Sequence, residues 1–122
     1  MRLLVVGAAV AALLVPAAPA QAAAPGPKVV KIQKGALNPH KVRWLTARPH
    51  MRGVRVVWWS GVEPCTVLTR VAVKETRKTV RITLYEGSVK DAGMCVAMAI
   101  KKATYVRLKN PVGKRVIFDG AR

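Results

Sequence analysis

The sequence predicts an all-β domain, a small antiparallel β-sandwich or barrel fastened by one disulfide. Three observations carry this expectation. Residues 79–85 read Thr-Val-Arg-Ile-Thr-Leu-Tyr, with Val80, Ile82 and Leu84 on one face and Thr79, Arg81, Thr83 and Tyr85 on the other. That two-residue period and its β-branched content are those of a half-buried strand. Turn-forming residues punctuate the chain at Gly53, Ser60-Gly61, Gly87-Ser88, Gly93, Asn110-Pro111, Gly113 and Asp119-Gly120, the spacing of an all-β sandwich or barrel. Cys65 and Cys95 form an even pair in a chain whose first residues read as an export leader. An immunoglobulin-like two-sheet sandwich is the arrangement these features suggest.

The elements follow in order. Residues 1–22 are read as a secretory signal peptide: one positive charge at Arg2, an apolar run over 3–15, then small residues at Ala20-Gln21-Ala22. The apolar run is shorter than the roughly 20 residues a membrane-crossing helix needs, and Pro16 and Pro19 interrupt its continuation. No later segment is apolar for long enough to cross a membrane, so the processed chain is expected to be secreted or extracellular, with cell-wall association in prospect. Residues 23–37 are a lead-in stiffened by Pro25-Gly26-Pro27, and residues 38–122 form a single β domain. About 100 residues after the leader suffice for one small domain. Strands are expected at 41–46, 52–59, 67–74, 79–85, 94–101, 105–109 and 115–118, with 75–78 turning the third into the fourth. Along 67–74, Val67, Val71 and Val73 share a phase that Leu68 interrupts. Residues 97–103 contain helix-forming Ala and Met, but the flanking glycine and short length favour a strand.

Outside the cytoplasm an isolated cysteine pair reads as a disulfide. Closing a loop of about 30 residues is worth roughly 3–4 kcal/mol in loop entropy. That is a large share of the about 5–10 kcal/mol a small domain commands. A two-cysteine metal site is disfavoured, since zinc sites want four close ligands. No cofactor is implied.

Charge bounds the partners. The chain carries a net +17, and loss of Arg2 with the leader leaves 21 Lys and Arg against Glu63, Glu75, Glu86, Asp91 and Asp119, a net of +16. Such a field attracts and steers polyanions without specifying fold. An anionic wall polymer, anionic lipid head groups, an acidic polysaccharide or extracellular nucleic acid would each fit. Arg43, Arg52, Arg55, Arg81 and Lys109 are the candidate polyanion-binding residues.

The residues able to carry catalysis are few. Ser60 and Ser88 are the only serines after the leader, and neither sits in a G-x-S-x-G elbow. Ser60-Gly61 is better explained as a turn. Glu63 and Glu86 are the candidate acids of a small hydrolase, the least favoured reading. His40 and His50 each follow a proline and lack a third ligand, so they are expected to be exposed loop residues rather than a metal site. Adjacent Trp58 and Trp59 must face opposite sides of a strand. One fills the core, while the other is a candidate stacking residue among Arg43, Arg52 and Arg55. The segment from Ser60 to Pro64, with Ser60 and Glu63 as contacts, could instead present a rigid loop to a secreted protein, as inhibitors do.

The segments W-S-G-V-E-P-C (59–65), V-x-V-K-E-T (71–76), V-x-I-T-L-Y-E-G (80–87), Cys95 and V-x-L-x-x-P-x-G-x-R-x-x-x-D-G (106–120) resemble a group of small exported proteins of high-GC Gram-positive bacteria whose function is unknown. The resemblance runs from about residue 52 to 120. It implies a secreted or surface-tethered β domain and supplies no activity or ligand. Members of that group tend to carry acids where this chain has Thr69 and Met94 and are less basic, which makes the charge a feature of this chain. The combined reading is a non-catalytic binding or envelope-associated domain.

Overall fold

The computed structural model describes residues 7–16 and 26–122. The expected leader cleavage site at 20–22 lies outside the described residues. Among them no helix is long and apolar enough to cross a membrane. Eight strands occur among the described residues: β1 Lys28–Val29, β2 Leu37–Val42, β3 Thr46–His50, β4 Gly53–Ser60, β5 Val67–Glu75, β6 Thr79–Ser88, β7 Ile100–Arg107 and β8 Val116–Asp119. They form two sheets. One has the order β1-β7-β4-β3; the other has the order β2-β6-β5, with β8 also on β6.

β4 and β6 are the central strands, and their alternation builds the core. Val54, Val56 and Trp58 point inward from β4, and Val80, Ile82 and Leu84 point inward from β6; all six are 1% exposed or less. Val30, Leu68, Val106, Leu108 and Val112 complete the cluster. The two sheets therefore bury their apolar faces against each other, as the sandwich expectation requires. The pairings are antiparallel except β1 with β7 and β8 with β6, which are parallel. Immunoglobulin domains place their first, second, fourth and fifth strands in one sheet. Here the first, third, fourth and seventh share one, so the strand order departs from that arrangement.

Several boundaries differ from the sequence expectation. The strand expected at 41–46 is two strands, β2 and β3, on different sheets. Trp44 marks the crossing: its backbone N–H donates to Asp119 Oδ2 at 2.9 Å, and its indole Nε1–H donates to the Ile82 carbonyl at 3.1 Å. The strand expected at 94–101 begins only at Ile100, and the one expected at 105–109 is its continuation. β7 pairs with β4 from Ile100 opposite Ser60 to Arg107 opposite Gly53. Residues before Ile100 lie past the end of β4 and have no strand to pair with there. Leu68 breaks the alternation because a register shift lies between Leu68 and Arg70. That bulge puts Val67 out of phase with Val71 and Val73, and Val67 and Leu68 are both buried.

Part of the 23–37 lead-in belongs to the folded unit. β1 pairs with β7, the Val30 side chain enters the core, and the Gln33 N–H donates to the Leu68 carbonyl at 2.8 Å. The chain thereby crosses from one sheet to the other before β2 begins. The expected turn at 75–78 is present, closed by Thr76 N–H to the Thr79 carbonyl at 2.8 Å. Cys65, between β4 and β5, is bonded to Cys95, between β6 and β7, with Cα atoms 5.6 Å apart. The disulfide thus ties together two connections that run between different pairs of strands.

β2 and β8 share one edge of β6 at opposite ends, pairing with residues 84–88 and 79–82 respectively. The Trp44–Asp119 contact closes the step between them. Gly120 donates its N–H to the Ile82 carbonyl at 2.9 Å, and a Cβ there would collide with the Thr83 hydroxyl, so glycine is required by close approach. Asp119 Oδ1 also accepts the Ala121 N–H at 2.9 Å. Asp119→Ala leaves two N–H groups without their acceptor and is expected to cost about 1–3 kcal/mol. Urea unfolding of the variant beside the parent measures this; an unchanged midpoint would remove Asp119 from the fastening.

Candidate functional site

The outer face of the β1-β7-β4-β3 sheet is set by the phase opposite to Val54, Val56 and Trp58. From β4 it takes Arg55, Val57 and Trp59; cross-strand partners add Arg48 opposite Arg55, Tyr105 on the other side of Arg55, Lys101 opposite Trp59, and His50 and Arg107 flanking Gly53. Trp59 and Tyr105 are each 52% exposed. The Lys101 ammonium lies 5.2 Å from the centre of the Trp59 ring, within cation–π range. The His50 and Tyr105 rings are 4.9 Å apart and tilted by 44°.

Arg48 and Arg55 stand directly opposite each other in the register. Like charges so placed destabilise a sheet. No acid stands opposite either arginine in the strand register. Glu63 lies 3.7 Å from Lys28, Glu75 is 3.1 Å from Arg115, Glu86 is buried, Asp119 bonds Trp44, and Asp91 sits between β6 and β7.

The candidate polyanion-binding residues do not form a single cluster. Arg55 lies on this face. Arg52 and Lys109 line a hollow of about 430 Å³ with Arg107 and Leu108, and Arg107 joins that hollow to the Arg55 face. Arg81 lies on the opposite outer face, and Arg43 is in the crossing between β2 and β3. Trp59 is the outward tryptophan, but its cationic neighbour is Lys101 rather than Arg43, Arg52 or Arg55. Trp58 is fully buried and is removed from the stacking candidates, because its strand phase commits it to the core. His40 and His50 are strand residues, in β2 and β3, and are exposed. Among the described residues no three of His, Cys, Asp and Glu group as a metal site would require.

Sequence reasoning missed Arg48, Lys101, Tyr105 and Arg107. The signal for Lys101 and Tyr105 was the period of β7, which the expected break between 101 and 105 concealed. Arg48 needed the β3–β4 register, which no local pattern announces.

A second group was missed because it lies inside. In β6 the residue after Val80, Ile82 and Leu84 in the same phase is Glu86, 3% exposed. Its carboxyl accepts the hydroxyl proton of Ser60, the inward residue that follows Trp58 in β4. Lys102, fully buried opposite Trp58, donates from Nζ to the Thr66 carbonyl at 2.9 Å. Ser60 therefore points into the sandwich and is not a surface contact of the 60–64 segment. Of the two acids considered for paired-carboxylate chemistry, Glu86 is buried and Glu63 lies at the surface beside Lys28.

At the other end Arg115 holds the 108–115 loop. Its guanidinium donates to Glu75 Oε1 at 3.1 Å and to the carbonyls of Asn110, Pro111 and Thr76. Glu75 also accepts the backbone N–H groups of Lys109 and Asn110. The segments 71–76 and 106–120 thus meet as a structural clamp, just as Ser60 of 59–65 meets Glu86 of 80–87. Comparison with protein families, with curated proteins and with solved structures finds no match.

Two pH dependences follow. The Lys109 N–H, with Arg115 and the Asn110 N–H, holds the Glu75 carboxyl below its ordinary 4.5 against a smaller opposing effect of burial. A depressed carboxylate contributes stability that is present above the unfolded value and lost as pH falls through the folded one. The stability margin of the parent over Glu75→Gln is expected to be full at about pH 6 and to shrink below about pH 4.5, as read from thermal melts across that range. Burial lowers Lys102 below 10.5, opposed by Glu86 and Glu63 and reinforced by Lys28. The unfolded chain then binds more protons between the folded value and 10.5, so stability rises with pH there. Urea midpoints of the parent relative to Lys102→Met should climb with pH through that window; a constant difference would place the amine in water.

Proposed function

We propose that this is a non-catalytic, exported domain that attaches to an anionic polymer of the cell envelope through the outer face of the β1-β7-β4-β3 sheet. The observation that supports the reading most is the Arg48–Arg55 pair, two like charges facing each other with Lys101 and Arg107 on the same face and no acid opposite either arginine. Folding alone does not call for that arrangement, since it costs stability; a bound polyanion turns the cost into attraction and releases counterions. Trp59 and Tyr105 supply flat surfaces on which a sugar ring or base can lie between the cations. The hollow at Arg52, Arg107 and Lys109 extends the track past the end of the sheet. Export of the domain fits the leader and the disulfide.

The test is binding to cell-wall fragments and to immobilised heparin as a function of salt. The parent should be retained at low salt with a steep dependence. Arg48→Gln with Arg55→Gln should lower the slope of log K against log salt by about 1–2. Equal elution of parent and double variant would place the contact elsewhere, and elution of the parent at low salt would end the reading. Self-repulsion also predicts that the unliganded parent melts at higher temperature as salt rises from about 0.01 to about 0.15 M, since the Debye length falls from about 30 to about 8 Å. The same double variant should show a smaller rise.

A further inference from the structure

We infer that the domain is bivalent, holding one polyanion strand on each side of the sandwich and so bridging two strands. This rests on the polyanion reading above and extends it to a second, separate site. The β2-β6-β5 sheet repeats the pattern of the first face with different residues. Its outward phase takes Arg81, Thr83 and Tyr85 from β6; Lys74 stands directly opposite Arg81, and Tyr85 lies between Arg70 and Lys41. Phe118 of β8 flanks Arg81 on the far side and is 47% exposed. The Arg70 guanidinium lies 5.2 Å from the centre of the Tyr85 ring.

Lys74 opposite Arg81 is therefore a second like-charge pair at a cross-strand position, and again no acid stands opposite either residue in the register. Glu75, the acid nearest in sequence, is committed to Arg115 and the Lys109 N–H, and Glu86 points into the core. The two faces are the outsides of two sheets packed about 10 Å apart, so they look in opposite directions. A stiff strand lying along one face leaves the other open to a second strand. The core between them is closed by interlocked apolar side chains, which fixes the two faces relative to each other. Such a rigid two-sided connector links polymer chains into a network by multivalent contact.

Titration calorimetry with a heparin hexasaccharide, too short to wrap the sandwich edge, reads the stoichiometry directly. Two oligosaccharides per domain are expected for the parent. One is expected for Arg48→Gln with Arg55→Gln, and one for Lys74→Gln with Arg81→Gln. With long heparin the parent should scatter light strongly near charge balance, while either double variant binds but loses most of the scattering. Each variant removes a repulsive pair of side chains, exposed except for the half-buried Arg55, and its melting curve verifies that it folds. One oligosaccharide per parent domain, or undiminished scattering by a single-face variant, overturns bivalence while leaving the attachment reading intact. No binding by the parent at low salt removes that reading as well.

Discussion

Everything else in this domain depends on the packing of β4 against β6. Val54, Val56 and Trp58 meet Val80, Ile82 and Leu84 across the core, and burying side chains of this size contributes about 1.5–3 kcal/mol each. Because side chains alternate along a strand, each inward residue fixes an outward neighbour. In a chain with 22 Lys and Arg against five acids, Arg55 on β4 and Arg81 on β6 take such outward positions. The outer faces are thus the reverse of the apolar core, and the remaining question is how the cations on them are arranged. They stand in opposed pairs, Arg48 with Arg55 and Lys74 with Arg81, which folding alone does not reward.

The acids explain why that charge stays uncompensated. Glu75 clamps the 108–115 loop with Arg115, Asp119 ties the β2–β3 crossing to the end of β8, and Glu86 holds Ser60 inside the sandwich. Three of the five acids therefore serve as internal fasteners. The disulfide adds a covalent tie between the two connections at the Ser60–Lys102 end, where polar groups replace the apolar core. Burial of Lys102 there is costly unless hydrogen-bonded, and the Thr66 carbonyl meets that need. Fastening by acids and display of bases are two sides of one composition.

The legible parts of the fold were those governed by local period. Residues 79–85 showed β6, the 75–78 turn joined it to β5, and the cysteine pair showed the disulfide. Trp58 and Trp59 had to part to opposite faces, and they do, at 0% and 52% exposure. Less legible were features that need a partner strand. Trp44 crosses between sheets because its two N–H groups find Asp119 and Ile82, 75 and 38 residues away. β7 starts at Ile100 because β4 ends opposite it. Glu86 continued an apolar phase that ended two residues earlier, so its burial was visible in principle but masked by its charge. Of the basic residues singled out, Arg55 was placed by its phase on the same face as Trp59. Arg81 was also visibly outward, but nothing local says that it lies on the other side of the domain.

By itself the sequence determined the class of the domain, the disulfide, the side-chain directions along β6 and at Trp58 and Trp59, and the large excess of positive charge. These follow from backbone alternation and from composition, both of which act over a few residues or over the whole chain. Tertiary structure alone decided which sheet each strand joins, and hence which cations face each other and which acids are drawn inside. That decision rests on long-range register, where a shift of one residue would exchange the inner and outer faces.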